Sequence, residues 1–344
     1  MNRRHVTIYD IAKEADVSPA TVSRILTGKA KVSDDKYKRV KALIDKYNYS
    51  PNAMARSLSE THTRVIGVVL ADASNPYYNS VFSACVDEAY SRGYSVVMFN
   101  TLSRAELEDA ALNKLLEQRV DVIIICGGRI DLHEPDAGFV RFMKKSMETT
   151  PIVLASKSRW EGIHGVAVDH ERSMDLAMDY LIGLGHRDIG FFYAGPEYYG
   201  SVEKIARFRA CIERAGLALR EEWLVHIDGY DCESGRDGID RLMRLEARPT
   251  ALLGLNDVIA AGMLQGLLGY GLSVPGDISL MGFDDTFITE ITSPRLTAIG
   301  YDYAGFAGKL VDAAIAVAEG EQRPMNQLVE PRLSIKQSCA ALRT

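Results

Sequence analysis

The stretch Val6-Thr7-Ile8-Tyr9-Asp10-Ile11-Ala12, followed by Val17-Ser18-Pro19-Ala20-Thr21-Val22-Ser23-Arg24, decides how the amino-terminal part of the chain folds. Ile8, Ile11, Ala12 and Ala15 recur at helical spacing, so one face of a short helix is apolar and needs a neighbour to bury it. Asp16-Val17-Ser18 interrupts that helix. Ser18 is a favourable N-cap, Pro19 suits the first helical position, and Val22, Ile25 and Leu26 return the apolar stripe to the same small core. Pro19, Ala20, Ser23, Arg24 and Thr27 are then left facing outward. A third helix starts at Ser33-Asp34-Asp35 and carries Tyr37, Val40, Leu43, Ile44 and Tyr47 on one side, with Lys36, Lys38, Arg39, Lys41 and Lys46 on the other. The pattern is an all-α helix-turn-helix head. An exposed helix face of Ser, Thr and Arg fits the major groove of DNA, where Arg24 is the candidate for pairing with guanine. The lysines of the third helix either touch phosphate or only solvate their own face.

Charge divides the chain in the same way. Residues 1–64 hold 13 Lys and Arg against 7 Asp and Glu, a net +6; the whole chain carries −6, so the remainder carries −12. A basic head on an acidic body is the asymmetry expected when only the head attracts a polyanion.

These two segments, with Tyr49-Ser50-Pro51-Asn52-Ala53-Met54-Ala55-Arg56-Ser57-Leu58, resemble the lactose-repressor (LacI/GalR) family of bacterial transcription regulators, and the resemblance runs essentially the whole chain. It implies a DNA-binding domain at 1–50, with contacts from Thr7, Tyr9, Ser18, Pro19, Ala20, Thr21, Ser23, Arg24 and Thr27. It implies a hinge helix and linker at 51–63, with Asn52, Ala55 and Leu58 in the minor groove, and an effector-binding and dimerisation domain at 64–344. Groove physics agrees, since an apolar wedge such as Leu58 unstacks and kinks the duplex and a small Ala55 lets the backbone lie close. Read from its length alone, the hinge segment is a marginal linker helix. Asp16 stands where the family usually has glycine, and Asp tolerates a left-handed backbone better than most residues.

At 344 residues the chain exceeds the size at which a single core stops growing. From Arg64 onward, buried apolar runs alternate with amphipathic helices. Residues 65–70, 95–99, 120–125 and 152–155 read as parallel strands of one lobe, and 189–193, 223–227, 251–255 and 278–283 as those of a second. The expected body is α/β and two-lobed, with two doubly wound parallel sheets of the periplasmic-binding-protein-like kind. Lobe one spans about 64–163 plus 295–325, and lobe two about 164–294 plus 326–344.

Ligands of such sheets bind beyond the carboxyl ends of the strands. Asn75, Tyr77 and Tyr78 follow the first strand, while Asn256 and Asp284 follow later ones. The resemblance puts all five in an effector pocket with Lys204 and Tyr230, Tyr78 and Tyr230 against a flat ligand face and Asn256 and Asp284 on its polar edge. Each has a second reading: Asp284 as a helix cap, Asn256 as a turn residue, Tyr78 and Tyr230 as ordinary half-buried aromatics, Lys204 as an exposed charge. Lys204 replaces the arginine fork of many sugar-binding members, and Ser156 stands where some carry aspartate. The effector is therefore either a different one or larger and anionic.

Catalysis finds little support. No nucleophile elbow, phosphate-cradling loop or helical His pair is present, and the seven histidines lack ligand spacing, so neither an enzyme nor a metal or other cofactor is expected. Asp169-His170-Glu171 reads as a solvated turn and Leu184-Gly185-His186-Arg187 as structural. Five scattered cysteines suit reduced packing thiols. With no export signal and no apolar run of spanning length, the expected compartment is the cytoplasm. Expected partners are palindromic operator DNA, a small-molecule effector such as a carbohydrate, and a second copy, because one reading helix covers half a palindrome. The tail from Ser334 to Thr344 carries no heptads for a tetramer bundle. The competing readings are a sugar-binding transport receptor, which the basic head opposes, and an enzyme on a doubly wound fold.

Overall fold

The computed structural model describes residues 6–26, 32–47, 49, 62–322 and 324–342; Thr27 and the hinge positions Asn52, Ala55 and Leu58 lie outside them. The chain divides into two compact units, Met1–Thr63 and Arg64–Thr344.

The head holds three helices, Ile8–Glu14, Pro19–Leu26 and Asp34–Tyr47. Thr7 starts the first with a capping box: its side chain accepts from the Asp10 N–H, and Asp10 accepts in return from the Thr7 N–H. Asp16 makes the turn at φ 53°, the left-handed conformation that glycine usually supplies. Ile11, Ala12, Ala15, Val22, Ile25, Val40 and Ile44 form the core, with Ile8, Leu26 and Leu43 packed partly against it. Tyr37 and Tyr47 depart from the expected stripe, since both are exposed. Their hydroxyls favour water, and Tyr47 with Lys46 instead ties the third helix to Glu14 of the first, at 2.7 and 2.8 Å.

In the body, twelve strands are described: β1 Val65–Leu70, β2 Ser95–Asn100, β3 Val122–Cys126, β4 Ile152–Leu154, β5 His164–Val168, β6 Ile189–Tyr193, β7 Leu224–His226, β8 Ala251–Gly254, β9 Ser279–Asp284, β10 Thr297–Gly300, β11 Asn326–Val329 and β12 Arg332–Ser334. They form two six-stranded sheets with one common order, β2-β1-β3-β4-β5-β11 and β7-β6-β8-β9-β10-β12. Helices cover both faces because the central strands are buried on both sides.

The lobe boundaries read from sequence need correcting. His164–Val168 pairs with β4, and Asn326–Val329 with it, so both belong to lobe one; Thr297–Gly300 pairs with β9 and belongs to lobe two. The chain therefore passes between lobes after β5, after β10 and between β11 and β12. The crossings after β5 and β10 leave each sheet one strand short, β11 and β12 then add the missing edges, and strands of three to five residues give too few periods to be recognised in sequence. The sheets also depart from the purely parallel expectation at β12, which runs antiparallel to β10. Trp223 precedes β7 in a single 3-10 turn rather than joining the strand.

Candidate functional site: a cleft between two lobes

The order of strand addition reverses in each sheet between parallel neighbours, β1/β3 in lobe one and β6/β8 in lobe two, and such switch points open a crevice at the strand ends. The two crevices face one another and enclose a cleft of about 410 Å³.

On the lobe-one side, Asn75 caps the helix Pro76–Ser91 by accepting from the Tyr77 N–H at 3.0 Å. That cap fixes the first helical turn, which delivers Tyr77 and Tyr78 into the cleft with ring centroids 5.0 Å apart. The Tyr78 hydroxyl lies over Gly127, whose φ of +79° and lack of a side chain leave room for it. On the lobe-two side, Gly195 does the same for the hydroxyl of Tyr230, and Tyr198 sits edge-on to that ring at 6.5 Å.

Asn256 caps a helix and also lines the cleft. Its side-chain oxygen accepts from the Ile259 N–H at 2.7 Å to cap the helix Asp257–Gly269, and it lines the cleft with its amide nitrogen 3.5 Å from the Tyr230 carbonyl. Asp284 is no cap. It ends β9 at φ 96°, the next short helix is preceded by Phe287, and its carboxylate makes no hydrogen bond among the described residues. Lys204 is not an exposed charge either, being 8% accessible, with Nζ 3.4 Å from the Leu255 carbonyl and 4.5 Å above the Phe283 ring.

Electrostatics joins these groups. Burial holds the Lys204 ammonium below its usual pKa, against the opposing pull of Asp284 and Asp257. Burial pushes Asp284 up to about 6, moderated by Lys204. Asp257 is raised further by burial and by the Asp284 charge, although one of its oxygens accepts from the backbone and hydroxyl of Thr286 at 2.6 and 2.9 Å. Each partner moves toward its neutral form, so desolvation exceeds attraction within the pair.

Asp131, Tyr198, Tyr301 and His170 are among the cleft residues that escape the sequence reading. Asp131, on the turn after β3, accepts from the Ser156 hydroxyl at 2.5 Å, and burial raises its pKa. Tyr198 and Tyr301 are further aromatic walls. His170 corrects the solvated-turn reading: Asp169 caps the helix His170–Gly183, and the first helical residue points its ring into the cleft. Burial, then the charges of Lys204 and Lys157, pull its pKa to about 3 and keep it neutral. The available signal was a favoured cap residue directly after the apolar run 165–168. His186, by contrast, is structural, bonded to Thr250 and Ser279.

The lobes also touch beside the cleft. Leu132 and Tyr198 form an antiparallel bridge, the His133 N–H donates to the Glu197 carbonyl at 2.8 Å, Arg159 lies 4.1 Å over the Tyr199 ring, and Lys157 pairs with Glu203 at 3.1 Å.

In the head, Thr7, Tyr9, Ser18, Ala20, Ser23 and Arg24 are exposed, and Pro19 and Thr21 are partly so. Ser18 Oγ accepts from the Thr21 N–H at 3.2 Å and lies 2.9 Å from its hydroxyl, fixing the first turn of the second helix.

A helix-turn-helix head joined to a two-lobed body with a cleft at its strand ends defines a ligand-responsive regulator of the DNA-reading kind. Comparison with known proteins agrees. Residues 7–52 match the family described as bacterial regulatory proteins, lacI family, and residues 178–339 match the periplasmic binding protein-like domain. Catabolite control protein A of Priestia megaterium is 32% identical over 312 residues, covering 89% of this chain and 92% of that protein. The HTH-type transcriptional repressor PurR of Actinobacillus pleuropneumoniae serotype 3 is 31% identical, covering 96% and 98%. The crystal structure of the lac repressor dimer bound to operator and the anti-inducer ONPF superposes with a TM-score of 0.86 at 26% identity, over 98% of this chain and all of that one. The chain belongs to the LacI family of bacterial transcription regulators.

Proposed function

We propose that the protein binds palindromic operator DNA as a homodimer, represses transcription, and is switched by a small carbohydrate-like metabolite held in the cleft. The observation that carries the switch is that one cleft draws its walls from both lobes. A ligand touching both has different contacts in different lobe arrangements, and differential contact is the only source of a shift in operator affinity. Asn75, Tyr77, Tyr78, Lys204, Tyr230, Asn256 and Asp284 would hold it. Relatives that act as repressors support the regulatory role over a transport receptor or an enzyme.

On the DNA side, Arg24 would read a base edge in the major groove, Tyr9, Ala20 and Ser23 would lie beside it, and Thr7, Ser18, Pro19, Thr21 and Thr27 would flank the backbone. Asn52, Ala55 and Leu58 take the minor-groove role that the family resemblance implies. The working compartment would be the cytoplasm, where operator DNA is; among the described residues no helix is long and apolar enough to cross a membrane.

The test is a gel shift on palindromes selected from genomic DNA, with and without sugars, sugar phosphates and purines. A chain that selects no palindrome contradicts the proposal. Arg24→Ala is expected to weaken the selected operator about 10- to 100-fold, the worth of a bidentate base contact, while binding to unrelated DNA changes little. Because Arg24 is exposed, its melting temperature should stay within about 1 °C, since surface changes cost little. An equal loss on specific and unrelated DNA would make Arg24 a phosphate contact instead.

A further inference from the structure

The charge and aromatic pattern of the cleft narrows the chemistry of its occupant. Asp131 is a carboxylate with no cation within ion-pair distance among the described residues. Its one hydrogen bond comes from Ser156, at 2.5 Å, and occupies a single oxygen. Arg159 acts on it from farther off, because its guanidinium is already engaged with the Leu132 carbonyl at 2.6 Å and with the Tyr199 ring.

Three tyrosines share the cleft with this carboxylate. Tyr78 on Gly127 and the Tyr198–Tyr230 pair on Gly195 all line the same cleft, and the Asp131 charge reaches the hydroxyl of each. Electron-rich rings beside a carboxylate that has no ion-pair partner among the described residues make a cation site.

The remaining charges agree. Asp72, Asp131, Glu203, Asp231 and Asp284 line the cleft against Lys157 and Lys204, His170 is neutral, and among the described residues no arginine lines it. Lys157 is paired with Glu203, and the charge of Lys204 is offset by the nearby charges of Asp284 and Asp257, so the cleft carries more negative than positive charge for an incoming ligand. This disfavours the anionic effector that the lysine-for-arginine change suggested. Serines and the amides of Asn75 and Asn256 supply the partners that hydroxyls need.

We propose that the Asp131 end of the cleft receives a protonated amino group, and that the effector is an amine-bearing polyol of the amino-sugar kind. The inference rests on the cleft being the effector site.

The full-length protein is titrated calorimetrically with glucosamine, galactosamine, mannosamine and 1-amino-1-deoxyglucitol, each beside its neutral parent, its N-acetyl derivative and, for glucose, the 6-phosphate. At least one amine should bind about 10- to 100-fold more tightly than its parent and its N-acetyl form, the worth of a charge-assisted hydrogen bond in a desolvated site. Asp131→Asn should remove that preference while leaving the neutral parent within about twofold. The ligand-side comparison stands even if the variant folds poorly. Neutral or phosphorylated compounds that bind while no amine exceeds its parent would overturn the ammonium assignment and leave the cleft as effector site. Failure of every compound overturns it as well, whereas an amine that binds tightly but never alters the gel shift points to a fault in the switching proposal alone.

Discussion

Lys204→Met is expected to lower stability by about 1–3 kcal/mol at neutral pH, the scale of leaving a buried polar group without its compensation, and to make the loss depend on acidity. Methionine keeps the volume and the contact with the Phe283 ring but removes the ammonium that offsets Asp284 and Asp257. Asp284 already has a folded pKa of about 6, above the 3.8 of a free side chain. A carboxyl raised in this way binds its proton more tightly when folded, so its contribution is complete below about pH 4 and fades as pH rises through 6. Without Lys204 the folded value climbs further and the fading extends to higher pH. Melting curves between pH 5 and pH 8 should therefore show the variant recovering on acidification more steeply than the parent protein. Adding Asp284→Asn should restore part of the loss at neutral pH, because the stranded charge is gone, and the non-additivity measures the coupling. A single variant melting like the parent with an unchanged pH slope means that Lys204 and Asp284 do not interact.

That pair also marks the limit of what the sequence discloses. The head was legible because its signals are local: a four-residue apolar stripe, a cap at Ser18, a proline at the first helical position and a turn at Asp16 all lie within nineteen residues, Ile8 to Leu26. The central strands were legible because both their faces are buried, so β1 and β3 read as unbroken apolar runs. The edges were not. β11 has half-exposed residues and β12 spans three, and neither imposes a period that a reader could count. Cleft-lining residues that follow recognisable strands, such as Asn75, Tyr78 and Asn256, were legible for that reason. Asp131 follows one too, but five residues beyond β3 and past a Gly-Gly turn, where nothing in composition separates it from a surface aspartate. His170 was missed because the strand that aims it, β5, was itself unread. The state of Lys204 could not be read at all, since its burial depends on Leu255, Phe283 and Asp284, which lie 51 to 80 positions away.

Gly262→Ala is expected to destabilise lobe two by about 1–3 kcal/mol, although alanine is the better helix former. The helices Cys232–Leu242 and Asp257–Gly269 cross with their backbones in direct approach. A methyl on Gly262 would meet the carbonyl, C and Cα of Cys232, and one on Gly235 would meet the Ile259 carbonyl. No flexible side chain can give way there, so the helices must part, and the core that includes Ile239, Ile259 and Met263 loosens with them. Gly308→Ala supplies the contrast. It lies mid-helix in Tyr303–Ala318 with nothing within 4 Å of the added methyl, so the same change should stabilise by about 0.5–1 kcal/mol. The damage at Gly262 should also reach the ligand, because these two helices begin at the cleft. Asn256 caps one of them, and Tyr230 immediately precedes Asp231, the cap of the other. Parting the helices moves Asn256 relative to the Tyr230 carbonyl and spoils a wall shaped to a ligand. Effector affinity should therefore fall together with the melting temperature in Gly262→Ala and remain unchanged in Gly308→Ala. Full affinity in a Gly262→Ala protein that melts early would show that the cleft is set by its strand ends alone.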